Sequence, residues 1–367
     1  MEDKKLIPLI RPSMPPFEEY VEALRNVWES KVLTNMAHNH QILEKELCEY
    51  LKADNFQLFV NGHLALENAF EAMGLTSGEV ITTPFTFAST THAIVRCGMT
   101  PVFCDIREDD YTMDADKIEA LITDKTVAIV PVHVYGMACD VEKIQKIADK
   151  YNLKVIYDAA HAFGVEVNGK GIGSYGDASM FSFHATKVFN TVEGGGLCFK
   201  DAALGQMLTY YKSFGQTSPE TVGYVGGNAK LDEFRAVMGL CNLRHVGEEF
   251  ALRKQAAERY NERLSGVKGL KLLPDQPGVT KNYAYYPVVF DGFRMNRDEM
   301  FAYLREENIL TRKYFHPLCC DFDCYREQYG NANVPVARHI AANVLCLPMH
   351  SGLTVEDVDA VCDAILG

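Results

Sequence analysis

"FSFHATKVFNTVEGGG", Phe181 to Gly196, begins as an alternating apolar run, reaches a single lysine, Lys187, and opens after a short polar segment into three consecutive glycines. Lysine is costly to desolvate as a cation and usually stays on a surface. A lysine just past a buried strand is therefore either an ordinary strand-end residue or an amine whose charge the site suppresses. The chain upstream bears on the choice. "VIYDAAHAFG", Val155 to Gly164, is a second apolar strand with Asp158 at its carboxyl end, and "VEVNGKGIGSYGD" after it reads as a hairpin-like passage into "ASMFSF". Taken singly, Asp158 reads as a helix N-cap or turn carboxylate and Lys187 as an exposed lysine. Taken together, two strands bring a carboxylate and an amine to one edge of a sheet.

That edge belongs to an α/β architecture. "EVITTPFTF", "PVFCDI", "AIVPVHVYG" and "LKVIYDAA" are apolar runs bounded by turn signals, and helical stretches such as "GHLALENAFEAMG" and "DVEKIQKIADKY" alternate with them. Such alternation predicts a mostly parallel sheet with helices on both faces. Its ligands bind beyond the carboxyl ends of the strands. Past Leu231 a long charged helix follows, then a Gly/Pro-rich bend, "LPDQPGVTKN", and a final mixture of strands and helices. Two units are expected: residues 1–245, a large domain with the N-terminal segment, and residues 246–367, a smaller C-terminal α+β domain.

Composition narrows the function classes. The 367 residues suffice for two packed units. A formal net charge of −13 disfavours nucleic acid and anionic membranes as partners. Eleven scattered cysteines, an odd number, read as the reduced thiols of a cytoplasmic protein. Cys319, Cys320 and Cys324 cluster, but no second pair with zinc-like spacing accompanies them, so no metal is expected. "MEDKKLIPLIRPSMPPFEEY" has no apolar signal-peptide core, and no run reaches the roughly 18 apolar residues of a membrane span.

A lysine that forms a Schiff base needs a lowered pKa and a partner carbonyl. Pyridoxal phosphate supplies that carbonyl, and its pyridinium nitrogen wants a carboxylate partner. Asp158 and Lys187 meet both demands. "FVNGHLALENAF" sets Asn61, Gly62 and His63 at a helix start, where free N–H groups favour an anion, and Ser182 adds a hydroxyl. Phe87, in "TTPFTFAST", follows a strand and is placed to lie on a planar cofactor, although a core aromatic is the plainer reading. Glycines 194–196 would let the backbone turn closely beneath such a group. Gly171, Gly173 and Gly176 spell GxGxxG, but a strand follows where a dinucleotide site needs a helix.

"DAAHAFG", "SFHATK" and "EGGG", with "NGHLAL" and "TPFTFAST", resemble the DegT/DnrJ/EryC1/StrS sugar aminotransferases over nearly the whole chain, from "LTN" to "LPMH". The resemblance implies the fold type I architecture of aspartate aminotransferase, pyridoxal 5′-phosphate as cofactor, and a homodimer with a shared active site. The most similar subgroup aminates C4 of dTDP-4-keto-6-deoxyhexoses, with glutamate as the implied donor; amination of a 3-keto sugar is the alternative within the family. Carried over residue by residue, Lys187 is the Schiff-base lysine and proton carrier, and Asp158 pairs with the pyridine nitrogen. His161 stands near the phenolic oxygen and Phe87 stacks on the ring. Gly62, His63 and Ser182 contact the phosphate. Asn228, in "GGNAKLDE", reaches it from the other subunit, and Arg312, in "TRKYFHPL", faces substrate. The chain departs from the family at His63, where threonine is usual, so a ring N–H or a backbone amide replaces a hydroxyl. Relatives that deoxygenate sugars carry histidine in place of the lysine, and this chain keeps Lys187. A cofactor-binding regulator on the same fold is the competing class, and the joint retention of Lys187, Asp158 and His161 argues against it.

Overall fold

A computed structural model describes residues 5–367. Residues 1–4, on which the N-terminal leader reading partly rests, lie outside the described residues. The larger sheet has seven strands, in the spatial order Asn55–Phe59, Gly195–Phe199, Ala178–Ser182, Lys154–Asp158, Thr126–Val130, Glu79–Thr82 and Thr100–Phe103. All run the same way except Gly195–Phe199, which pairs antiparallel with both neighbours. Side-chain alternation builds two cores from these strands. Val155, Tyr157 and Phe181 pack on one face with helices His38–Tyr50 and Val141–Tyr151. Ile156, Met180 and Leu197 pack on the other with helices Gly62–Ala72, Ala88–Arg96 and Ala202–Tyr211. Burial on both faces explains why these strands read as unbroken apolar runs.

A proline marks where one strand leaves the sheet and the site begins. "EVITTPFTF" pairs only through Thr82, before Pro84, whereas "AIVPVHVYG" pairs through Val130 and, past Pro131, bridges again from Val132 to Asp158. A proline has no N–H for the ladder. The chain leaves the ladder after Thr82, whereas past Pro131 it stays beside Asp158, whose N–H donates to Pro131 O and whose carbonyl accepts from His133 N–H, both at 2.9 Å. Thr86, Phe87 and Val132 then wall the space beyond the strand ends.

The glycine run does something other than turn. Gly195 and Gly196 lie within a strand. A Cβ on Gly195 would sit 2.4 Å from Gly62 N, and one on Gly196 would sit 2.2 Å from the Phe56 ring. These glycines are required by close approach, and the first presses the strand against the start of the Gly62–Ala72 helix. The GxGxxG stretch, in turn, leads into the strand Ala178–Ser182.

Asn55–Phe59 is an edge strand, and a half-buried and a buried side chain close its free edge at Leu58. The Leu58 N–H donates to Glu44 Oε2 at 3.0 Å, and its carbonyl accepts from Lys212 Nζ at 3.2 Å. The N–H and carbonyl of Leu58, groups of the kind that make edges adhesive, are thereby satisfied.

Helix Glu233–Leu264, capped by Asp232, joins the two halves of the chain without a break. Its first turns bury Ala236 and Leu240 in the first core, and its last bury Ala257, Tyr260 and Leu264 in another. The latter lies against the antiparallel sheet of Leu270–Leu272, Tyr286–Phe290 and Val344–Leu347 and against helices Arg297–Glu306 and Val355–Leu366. The first described residues depart from the expected allotment of the N-terminal segment. Ile7 donates to Asn308 O and accepts from Leu310 N, both at 2.9 Å, and its side chain is buried in this C-terminal core. The gain is burial of an apolar side chain with both backbone groups paired. Among the described residues, no helix is long and apolar enough to cross a membrane.

Candidate active site

A cavity of about 300 Å³ lies beyond the carboxyl ends of the central strands. It brings together seven of the residues singled out from sequence: Gly62, His63, Phe87, Asp158, His161, Ser182 and Lys187.

Lys187 is carried by a loop between Ala178–Ser182 and Gly195–Phe199. Phe183 N–H donates to Gly194 O at 2.8 Å and Ala185 N–H to Val192 O at 2.7 Å, which closes the loop at its base. Lys187 Nζ donates to Tyr285 Oη at 3.3 Å. Burial lowers the pKa of this amine to about 8, against the opposing pull of Asp158. A substantial neutral fraction at ordinary pH follows, as a nucleophilic amine requires.

Asp158 ends its strand with both carboxylate oxygens anchored. Thr90 Oγ1 donates to Oδ2 at 2.6 Å and Ala160 N–H to Oδ1 at 3.0 Å. Burial raises its pKa, while the Thr90 hydroxyl, the Ala160 amide and Lys187 work in the other direction. The result is an oriented, poorly solvated carboxyl group seeking a cationic or N–H partner.

His161 accepts a hydrogen bond at Nδ1 from Tyr135 N–H at 3.1 Å. Burial holds its pKa well below the ordinary histidine value. The ring is therefore neutral and carries its proton on Nε2. It lies nearly parallel to Phe315, at 5.8 Å, and beside Tyr285, at 4.6 Å. Phe87 is 61% exposed although it lines the cavity, which removes it from the core-aromatic reading and leaves its ring free for a planar partner.

The Gly62–Ala72 helix starts at the cavity wall, with the Asn61 side chain accepting from Leu64 N–H at 2.8 Å. The N–H groups of Gly62 and His63 precede the first intrahelical bond and have no helical acceptor. A Cβ on Gly62 would meet Met180 Sδ at 2.8 Å and Phe181 O at 3.2 Å, so the helix start is held tight against the strand end that carries Ser182. The His63 ring is already engaged at both nitrogens: Nδ1 with Ser89 Oγ at 2.9 Å and Nε2 with Glu67 Oε1 at 3.1 Å. Within this chain, then, it is the backbone amide of His63, and not its ring, that is free for an anion.

Two expected residues stand outside the cavity. Asn228 is exposed and bridges Ser213 through its backbone. Arg312 is exposed too, with its guanidinium 5.4 Å over the ring of Tyr314, which does line the cavity. Sequence reasoning missed Thr90, Ser89, Tyr285, Tyr314 and Phe315. Thr90 and Ser89 lie in an unexceptional helical stretch, and the aromatic residues arrive from the C-terminal part of the chain, so no local pattern marks them.

The residues present fit pyridoxal 5′-phosphate. A suppressed amine, a fixed carboxylate, an exposed aromatic ring, and free amides beside a serine hydroxyl share one cavity of suitable chemistry. Pyridoxal-phosphate enzymes use these groups for carbonyl condensation, ring-nitrogen pairing, stacking and phosphate binding.

A family model described as the DegT/DnrJ/EryC1/StrS aminotransferase family matches residues 17–366. The chain is 40% identical over 363 residues to a dTDP-4-amino-4,6-dideoxy-D-glucose transaminase of Shigella dysenteriae, and 42% identical over 369 residues to one of Escherichia coli, each match covering 99% of both chains. Among solved structures, DesI in the presence of its TDP-sugar product aligns with a TM-score of 0.93 at 33% identity, covering 99% of this chain and 92% of DesI. Helicobacter pylori PseC, an aminotransferase of pseudoaminic acid biosynthesis, aligns with a TM-score of 0.92 at 27% identity, covering 99% and 98%.

Proposed function

Because the chain belongs to the DegT/DnrJ/EryC1/StrS aminotransferase family, we propose that it is a pyridoxal-phosphate transaminase that converts a nucleotide-linked 4-keto-6-deoxy sugar into the 4-amino sugar, with glutamate as donor. The observation that carries the reading is the pairing, in one cavity, of the Lys187 amine with the doubly anchored Asp158. Pyridoxal 5′-phosphate, when bound, supplies the carbonyl that exchanges amines and the ring that draws electrons from the reacting carbon.

The chain's own residues do the rest. Lys187 Nζ holds the cofactor between turnovers and, once released as a neutral amine, takes a proton from the donor's α-carbon and later returns one to the sugar carbon. Tyr285, in hydrogen-bond contact with Nζ, holds that amine on the reacting face. Asp158, kept in place by Thr90 and Ala160, holds the proton on the ring nitrogen and so stabilises developing negative charge. His161 presents its Nε2–H to the phenolic oxygen, and Phe87 covers the ring. Gly62, His63 and Ser182 bind the phosphate, the first two through backbone amides. Arg312, next to Tyr314, meets the nucleotide-sugar.

The reading extends to assembly. Asn228 reaches the phosphate of a second copy, so the active unit is a homodimer with shared sites. Its exposure outside its own chain's cavity supports this, as do the exposed apolar side chains of Phe17, Trp28, Val222 and Val225. Residues 1–245 and 246–367 serve as large and small domains joined within Glu233–Leu264, with the segment around Ile7 packed on the small one. The enzyme works in the cytoplasm, in keeping with eleven unpaired cysteines.

The test is amination of dTDP-4-keto-6-deoxy-D-glucose with glutamate, read by mass spectrometry of the sugar and by 2-oxoglutarate release, alongside Lys187→Ala. The 4-amino sugar forms with wild type only. A protein that binds pyridoxal phosphate yet exchanges with no amino donor would instead be the regulatory member of the fold.

A further inference from the structure

His63 stands at the second position of the Gly62–Ala72 helix, and its ring links the cavity to a buried carboxylate. Nδ1 is 2.9 Å from Ser89 Oγ, and Nε2 is 3.1 Å from Glu67 Oε1. Ser89 lines the same cavity as Gly62, His63 and Ser182, and its contact with the His63 ring sets it near the helix start. Glu67 is 8% exposed and also accepts from Arg96. Burial pushes the Glu67 carboxyl up, but hydrogen bonds from His63 and Arg96 outweigh it and hold the group ionised. An ionised carboxylate only accepts, so the Nε2 proton of His63 is fixed toward Glu67 in either charge state of the ring.

What remains free is the proton between His63 Nδ1 and Ser89. A serine hydroxyl has one hydrogen. With a neutral ring, Nδ1 is an acceptor and the Ser89 O–H points back at it, presenting only lone pairs to the cavity. With a charged ring, Nδ1–H donates to Ser89 Oγ and the Ser89 O–H is turned outward as a donor. A phosphate dianion presents acceptors only. It therefore requires the second arrangement.

We propose that His63 is a proton-coupled positioning residue: a phosphate dianion bound at the helix start draws a proton from solvent onto His63 Nδ1, which turns the Ser89 hydroxyl toward the anion while Glu67 holds the charged ring. No covalent bond of the anion changes, and the proton added to the ring is the one taken from buffer. The titratable and charged groups facing His63 are Glu67 on its own helix and His92 and Arg96 on Ala88–Arg96. Lys187, Asp158 and Glu193 line the cavity with it. Glu67 supports the charged ring, whereas Arg96, already paired to Glu67, opposes it weakly. The inference rests on the pyridoxal-phosphate reading and assigns to this chain a proton linkage at the phosphate end of its site.

The test is calorimetric titration of the full-length, cofactor-stripped protein with pyridoxamine 5′-phosphate, which has no carbonyl to condense with Lys187. Runs near pH 7.5 in buffers of different ionisation heat give the protons taken up per molecule bound. Wild type takes up more protons than His63→Gln, a variant whose amide still spans Ser89 and Glu67, and more than Ser89→Ala, which lacks the hydroxyl. Wild-type affinity also falls on the alkaline side, by up to about tenfold per pH unit, where His63→Gln is flatter. Equal uptake by wild type and His63→Gln would overturn the inference while leaving the cofactor reading intact. Uptake lost in His63→Gln but kept in Ser89→Ala would overturn the hydroxyl relay. No binding of pyridoxamine 5′-phosphate by any of the proteins would overturn the cofactor reading and this inference with it.

Discussion

Two lysines in this protein share a depressed pKa and nothing else. Burial lowers both Lys187 and Lys212 to about 8, each against the pull of one carboxylate, Asp158 for the first and Glu44 for the second. Lys187 faces a cavity and meets Tyr285 at 3.3 Å. Lys212 is 1% exposed; its ammonium donates to the carbonyl of Leu58 and lies 4.0 Å from Glu44, over the ring of Phe59. One amine is desolvated and reachable, whereas the other is desolvated and sealed. A lowered pKa is thus a product of burial and marks a reactive lysine only where a ligand can reach the nitrogen.

The largest separation between the two is expected in activity. Lys187→Ala should lose transamination by several orders of magnitude in kcat, since nucleophile and proton carrier go together. Lys212→Met should keep kcat near that of wild type. An active Lys187→Ala enzyme would break the comparison at its first point.

Asp158→Asn comes next, with an expected loss of about 10²-fold or more in kcat, because a neutral amide cannot hold the ring nitrogen's proton. Thr90→Val, which removes only one anchor of that carboxylate, should cost about tenfold, in line with a single charge-assisted hydrogen bond. Steady-state rates of the two variants side by side sharpen what anchoring adds to charge.

Stability against pH separates the two far less, because the lowered pKa acts in both. The unfolded chain keeps the Lys212 proton to pH 10.5, whereas the folded chain releases it near 8. Between those values the unfolded state binds more protons, so stability rises with pH, by about 3 kcal/mol in full. Below pH 8 this contribution is flat. Lys187, lowered as far, contributes a like rise, so Lys212→Met should lessen the rise by its own share without abolishing it, as read from urea unfolding between pH 7.5 and 10.5, and an unchanged slope would contradict the sealed setting described for Lys212. The smallest expected effect is that of Tyr285→Phe, a few-fold in kcat with stability near wild type, since one neutral hydroxyl contact is lost.

The same contrast shows what was legible beforehand. Lys187 and Asp158 could be read because Asp158 ends an apolar strand and Lys187 follows closely on another, and strand ends in a parallel sheet are where ligands gather. Lys212 carries no such mark: it follows a helix, as surface lysines often do, and its partners Leu58 and Glu44 are distant in sequence. Phe87 looked more like a core aromatic, and Pro84, which ends the strand before it, is what brings its ring to the cavity. Thr90, Tyr285 and the Ser89–His63–Glu67 chain were invisible because their contacts cross between elements. The glycine run was legible as a constraint, but its cause, a backbone pressed against Gly62 and the Phe56 ring, appears only once the strands are paired.

The most direct test of the account is borohydride reduction of the wild-type protein mixed with pyridoxal phosphate, followed by proteolysis and mass mapping of the modified peptide. The account predicts the reduced adduct on Lys187, with Lys212 unmodified despite its equal pKa. An adduct on Lys212, or one spread over surface lysines with Lys187 bare, would contradict it.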